Sequence, residues 1–302
     1  MKLSIIVPVF NCEKYLIRCL NSLVNQTLND YEVIIINDGS SDSSQKIIDE
    51  FSSKYSFIKS IVIDNGGQGR ARNFGIDVAK GDFIGFADAD DYVDDSMYEK
   101  LISLAEKENS DIAVCDFYRF EDTNKAYEKA ALQNHPLSAA GAVWNKVFRK
   151  ETIGNTRFPS GLWYEDLQFS SIVMLKAKKI SYLNEALYFY RSDNPSTMRN
   201  KNAQKNLDII TVFENISEQL PEGQNDNFEF LLINHILLES IKRVDEIGDR
   251  AVVKTLRDYV KSYIPKLRLS KSFSNESLNR RIIMMLNYLG LDKISMFILK
   301  VK

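Results

Sequence analysis

Short apolar runs alternate with amphipathic stretches through the first two fifths of the chain. Residues 3–10 (LSIIVPVF), 31–37 (YEVIIIN), 57–63, 82–87 (DFIGFA) and 111–120 (DIAVCDFYRF) are compact apolar runs rich in β-branched residues, as expected of buried strands. Between them, residues 13–26 set Leu16, Cys19, Leu20, Leu23 and Val24 at helical spacing. Residues 41–55 put Ile47, Ile48 and Phe51 on one face, and residues 68–79 and 97–107 read as further helices. Strands alternating with helices predict an α/β fold: a Rossmann-like, mostly parallel sheet flanked by helices. In such sheets ligands bind beyond the carboxyl ends of the strands.

Past residue 124 the pattern changes. Residues 124–136 show no period and read as a loop. Residues 140–148 and 165–175 read as helices, and 180–183 and 187–190 as short strands. Helical spacing then dominates over 203–220, 227–247, 250–264 and 278–300. The expected organisation is an α/β domain over residues 1–200 and a helical C-terminal region over 201–302.

Charge sharpens this division. The net charge is −2. From Arg250 onward there are twelve Lys and Arg against three Asp and Glu, a basic tail on an acidic body. Such asymmetry points to an anionic partner, nucleic acid or lipid. The tail favours lipid, because Arg280 and Arg281 precede the apolar run 282–289, Gly290 breaks it, and a second apolar run carries Lys293, Lys300 and Lys302. The competing reading is that the apolar residues of segment 275–302 dock on the body or form a homodimer contact, with the charges solvated. Nucleic acid is not expected as a partner.

The remaining composition removes function classes. Two distant His, His135 and His235, and three Cys without paired spacing exclude a Cys/His zinc site. Cys12, Cys19 and Cys115 read as free thiols of a reducing compartment. The N-terminal run is too short for a signal peptide, and no stretch approaches a membrane span. The expected location is the cytoplasm, or the inner face of the cell membrane as a peripheral protein.

Polar clusters fall at the predicted strand ends. Asp88, Asp90 and Asp91 follow the fourth strand in FADADD. Carboxylates this close repel unless a cation or donors intervene, and Mg2+ or Mn2+ prefers carboxylate and phosphate oxygens. Asp88 and Asp90 therefore read as a metal–phosphate pair, whereas Asp91 reads as a helix cap. Asp38 in NDGS, beside Pro8, Val9, Phe10 and Asn11, forms a rim for a base or ribose. Arg72 and Asn73, early in a helix, suit a diphosphate. Glu165 and Asp166 lie among Trp163, Tyr164 and Phe169, where desolvation favours a general base and helix capping is the alternative. GxGxxG after strand one and GxxxxGK[ST] are both missing, which excludes a dinucleotide fold and a P-loop.

In this order and spacing, VPVFNCEKYLIRCLNSLVNQT, NDGSSD, NGGQGRARNFGI, GDFIGFADADD and WYEDLQF closely resemble family 2 glycosyltransferases with the GT-A fold, of the bacterial capsule and exopolysaccharide type. The likeness spans about residues 2–195. It implies an inverting transferase acting from a nucleotide-sugar donor, usually a UDP-sugar, with Mn2+ or Mg2+. Pro8, Val9, Phe10 and Asn11 match the segment lining the nucleotide, with Phe10 where most members carry Tyr. Glu13 and Asp38 match positions near the base. Arg72 and Asn73 match the diphosphate segment. Asp88 matches the ribose side of the DXD pair and Asp90 its metal ligand. Asp166 matches the catalytic base, Glu165 and Trp163 the acceptor side, and Lys146 and Arg191 recurrent basic positions. The implied acceptor is a saccharide, lipid-linked if the tail meets a membrane, and residues 192–200 are expected to close over the donor. The competing functions are transfer to a protein or soluble acceptor, and a non-catalytic nucleotide-binding protein on the same fold.

Overall fold

The computed structural model describes residues 1–121, 124–130, 135–193 and 202–300. The chain divides into two compact units, Met1–Gly161 with Glu165–Asn194, and Leu162–Tyr164 with Pro195–Lys302.

The first unit is built on one sheet. Its elements are β1 (Leu3–Val9), α1 (Glu13–Val24), β2 (Tyr31–Asp38), α2 (Ser44–Lys54), β3 (Ile58–Ile63), α3 (Gln68–Val78), β4 (Phe83–Phe86), β5 (Tyr92–Val93), α4 (Met97–Glu108), β6 (Ile112–Glu121), β7 (Asn124–Ala130), β8 (Lys146–Arg149), α5 (Lys150–Ile153), α6 (Glu165–Lys176) and β9 (Ile180–Arg191). The strand order is β3-β2-β1-β4-β8-β6-β9-β5, with β7 paired on β6. β3, β2, β1 and β4 run parallel, in the register Leu3 to Tyr31 and Leu3 to Phe83. Every residue of β1 and β2 is buried, as a strand covered on both faces requires. Helix α3 approaches β1 so closely that a Cβ on Gly75 would lie 2.4 Å from Ile6 Cγ2.

Beyond β4 the sheet becomes mixed. β8 is antiparallel to both β4 and β6, while β6 and β9 run parallel. Three expectations change here. Residues 124–136 are not a loop throughout, since Asn124–Ala130 returns antiparallel along β6. Residues 140–148 are not a helix: a short 3-10 turn (Pro136–Ala139) precedes β8. Val147 and Phe148 are both fully buried, so the apolar spacing that suggested a helix was that of a strand covered on two sides. The two short strands at 180–190 are one strand, whose register shifts beside Cys115 and Asp116.

The second unit is helical. α7 (Asp208–Glu218), α8 (Asn225–Leu231), α9 (Ile241–Ile247), α10 (Arg250–Tyr263), α11 (Lys271–Ser274), α12 (Leu278–Leu289) and α13 (Asp292–Lys300) are its α-helices. Between α8 and α9 the helix continues in wide π-type turns over Leu232–Ser240. His235 lies there, largely buried in the helical core. Phe213, Phe228, Leu231, Ile236, Leu256 and Val260 fill that core. Residues 278–300 form two helices because Gly290, at φ +86°, ends α12. The excursion Leu162–Tyr164 is tied into this unit. The Trp163 N–H donates to Asp208 Oδ2 at 2.9 Å. The Tyr164 hydroxyl donates to Asn206 Oδ1 at 2.7 Å and accepts from Arg243 at 2.8 Å. Tyr164 itself takes φ +66°, a left-handed backbone that a bulky residue adopts only when its surroundings impose it. No helix of the described residues is long and apolar enough to cross a membrane.

Candidate active site

The carboxyl ends of β1, β2 and β4 and the start of α6 bring most of the singled-out residues of the first unit together. At the end of β1 the chain turns through Asn11, at φ +50°. Asn11 Oδ1 accepts the Ser41 N–H at 2.8 Å, and Glu13 accepts the Ser43 N–H at 2.8 Å while its own N–H donates to Asp42 at 3.0 Å. These bonds lock the β1 and β2 exits into one rim. Phe10 projects from it, 49% exposed, offering a ring face to a ligand. Pro8 and Val9 are buried within β1.

Asp38 is only 2% exposed. Its two carboxylate oxygens accept the N–H groups of Gly66 and Gly67, each at 2.8 Å. It shapes the loop entering α3, at the rim where the sequence reading sets a base. Beside that loop, Gly39, Val62, Ile63, Asp64, Asn65 and Arg70 line a cavity of about 610 Å³. Asn73 is likewise committed: its carboxamide donates to the Phe158 carbonyl and accepts the Phe158 N–H, both at 2.9 Å. It pins the segment before α6.

Arg72 is the buried hub. Its guanidinium, 1% exposed, reaches Asp88 Oδ1 at 2.8 Å and Glu165 Oε1 at 3.2 Å, and lies over the Phe158 ring. One planar fork thereby joins the β4 exit to the first turn of α6. Asp166, partly exposed beside Glu165, accepts its neighbour's N–H from Leu167 at 3.0 Å. Burial and the adjacent Glu165 charge push the Asp166 carboxyl up to about 7, with Arg72 pulling the other way. A carboxyl that titrates near neutrality is suited to accept a proton.

The aspartate run divides by burial. Asp88 and Asp90 keep partial exposure, whereas Asp91 is buried. Asp91 accepts from the Tyr188 hydroxyl and from the Arg191 N–H, both at 2.7 Å. Its expected role as a cap for α4 is therefore corrected: it fastens β9 to the β4 exit. Burial and the charges of Asp90 and Asp88 hold its carboxyl well above the usual range. Arg191 is buried between the rings of Tyr15 and Phe120 and donates to the Asp90 carbonyl at 3.2 Å. Lys146, fully buried, donates to the carbonyls of Ala139 and Ala142 and to Asn145 Oδ1 at 2.9, 2.5 and 2.8 Å. Burial lowers it to about 7. It secures the 136–142 turn and presents no surface to a ligand. Trp163 belongs to the second unit, and residues 194–200 of the expected closing segment lie outside the described residues.

Sequence reading missed Tyr188. Its hydroxyl accepts the Asp88 N–H at 3.1 Å while donating to Asp91, so it sets the backbone of the whole run. Nothing in the spacing of LYFYR distinguishes it from a packing tyrosine.

Asp88, ion-paired with Arg72, and Asp90 would be the carboxylates to hold a cation if one binds. Among the described residues no three His, Cys, Asp or Glu side chains gather into a ready-made cage. That donor set fits Mg2+ or Mn2+, which takes few protein oxygens and completes its shell with water and phosphate.

The family model described as Glycosyl transferase family 2 matches residues 4–161, just over half of the chain. The uncharacterized glycosyltransferase EpsJ of Bacillus subtilis is 34% identical over 65% of this chain, and the match spans 62% of its own length. YibD of Escherichia coli, also an uncharacterized glycosyltransferase, is 31% identical over 75% of this chain and 72% of its own. The crystal structure of Staphylococcus aureus TarS 1–349 in complex with UDP-GlcNAc superposes with a TM-score of 0.69 at 20% identity, covering 97% of this chain and 91% of that one. The chain has the GT-A fold and belongs to glycosyl transferase family 2.

Proposed function

We propose that the chain moves a sugar from a nucleotide-sugar donor, a UDP-sugar, to a hydroxyl of a saccharide acceptor, inverting the anomeric centre. The observation that carries this reading is the Arg72 bridge, which brings the Asp88–Asp90 strand end together with Glu165 and Asp166. One carboxylate group would then serve a cation and diphosphate, and a second, with Asp166 near 7, an acceptor. TarS, of the same fold, binds UDP-GlcNAc, which supports a UDP-sugar donor here.

Asp90, with Asp88 beside it, would hold Mg2+ or Mn2+. When bound, that ion neutralises charge on the departing diphosphate. Phe10 offers its exposed face to the base, on the rim that Asn11, Glu13 and Asp38 hold rigid. Arg72 keeps Asp88 and Glu165 in place with their charges compensated. Asp166 accepts the proton of the acceptor hydroxyl while that oxygen bonds to the anomeric carbon. The bond from that carbon to the diphosphate oxygen breaks on the opposite face, and its electron pair leaves with the nucleoside diphosphate. Attack opposite the leaving group gives inversion, with no covalent enzyme intermediate. The acceptor we assign is a saccharide carried on a lipid, a reading supported by the basic, apolar-flanked C-terminal segment.

Calorimetric titration with UDP, GDP, CDP and dTDP, each with and without Mn2+, tests the reading. UDP binding that needs Mn2+ and is lost in Asp90→Ala supports it. No binding of any nucleotide refutes it and leaves a non-catalytic protein on this fold.

A further inference from the structure

The α12–α13 hairpin carries an apolar face that the helical unit leaves uncovered. α12 turns Met284 and Asn287 inward, and Asn287 donates to the Leu237 carbonyl at 2.9 Å. On its other side Leu278, Ile282, Met285 and Leu289 recur at spacings of four, three and four, which places them in one stripe along the helix. Leu278, Ile282 and Leu289 are 67%, 42% and 59% exposed. Leu291 follows across the Gly290 turn and Ile294 lies early in α13, 45% and 50% exposed. Docking on the body therefore accounts for Met284 and leaves the stripe bare.

The charge around this stripe has one sign. Residues 266–293 contain Lys266, Arg268, Lys271, Arg280, Arg281 and Lys293 against Glu276 and Asp292 alone. Both carboxylates are already paired within the unit, Glu276 with Arg280 at 2.8 Å and Asp292 with Arg257 at 2.5 Å. Lys266, Arg268, Arg281 and Lys293 have no carboxylate partner among the described residues. A second copy is a poor occupant, because twofold symmetry would set this cationic patch against itself. Anionic lipid satisfies both halves of the face: leucine and isoleucine enter the headgroup boundary, while lysine and arginine meet phosphates.

We propose that the α12–α13 face seats the protein on an anionic membrane surface, lying in the interface plane. The proposal goes beyond glycosyl transfer and does not depend on it. Flotation of the full chain with vesicles of phosphatidylcholine, and of equal parts phosphatidylcholine and phosphatidylglycerol, tests it. Two paired variants accompany the parent: Ile282→Glu with Leu289→Glu, and Arg281→Glu with Lys293→Glu. All four positions retain solvent exposure, and circular dichroism melting checks that each variant folds. The expected result is co-flotation with the phosphatidylglycerol vesicles, weakened by salt and reduced about tenfold or more in either variant. UDP titration of the same samples reads the donor site separately, so failure of one proposal is distinguishable from failure of the other. Equal recovery of parent and variants overturns the membrane assignment. So does a dimer that the Ile282→Glu, Leu289→Glu pair splits while no vesicle is bound.

Discussion

Asp166 is the residue whose environment bears most directly on rate. Its carboxyl sits near 7 because burial and Glu165 outweigh Arg72. A general base works deprotonated, so kcat/KM should rise with pH through about 7 and then level off. Asp166→Asn should abolish transfer and leave UDP affinity nearly unchanged; normal turnover by that variant would remove Asp166 from the mechanism. Stability carries the opposite sign. A carboxyl raised on folding binds more protons in the folded state, so its contribution is present below the unfolded value and is lost as pH rises through about 7. Asp166→Asn should therefore melt higher than the parent at pH 8 and close to it at pH 4, in a thermal scan at both. Arg72→Met removes the shared counter-ion of Asp88 and Glu165 and should cost about 3 kcal/mol in urea unfolding, as loss of one partner in a buried ion pair does. Arg72→Lys keeps the charge but lacks the fork, so it should recover part of that stability with the kcat/KM midpoint moved upward. At this scale the acidic clusters were legible, because carboxylates at strand ends need a partner. The commitments of Asp38, Asn73 and Lys146 were not, since spacing does not reveal whether a polar side chain spends its bonds on neighbouring backbone.

Among elements, the β1–α3 contact is the tightest test of packing. Gly75→Ala would place its Cβ 2.4 Å from Ile6 Cγ2 in the middle of β1. Overpacking of this kind should destabilise by about 2 kcal/mol and lower the melting temperature by a few degrees, measured by calorimetry. The long periodic elements from β1 to β6 were readable, because each presents a clear alternation of buried and exposed positions or a continuous apolar run. β5, with two residues, is too short to leave a pattern. β8 hides its period by being buried on both faces. β7 is recognisable only through its partner β6, a pairing that a linear reading does not contain. The π-type turns within Leu232–Ser240 likewise arise from packing among buried residues and carry no local signature.

For the molecule as a whole, the donor site predicts dependence on a divalent cation. Chelation should abolish transfer and added Mn2+ or Mg2+ should restore it, with the overall fold unchanged by circular dichroism; full activity after exhaustive chelation would refute the role given to Asp88 and Asp90. The helical character of the stretch from Asp208 to Tyr263 was legible in its periodicity. The excursion of Leu162–Tyr164 was not, because three residues are too few to carry a period and their partners lie more than forty positions downstream.

That excursion bears on how relatives can be recombined. A chimera joined by one crossover near residue 194 would inherit Tyr164 from one parent, and Asn206 and Arg243 from the other. Its hydroxyl would then face acceptors and donors it was not matched to, immediately before the helix that carries Glu165 and Asp166. Swapping the helical unit between family members therefore calls for two grafts, the long C-terminal segment and the tripeptide at 162–164, moved as one inheritance.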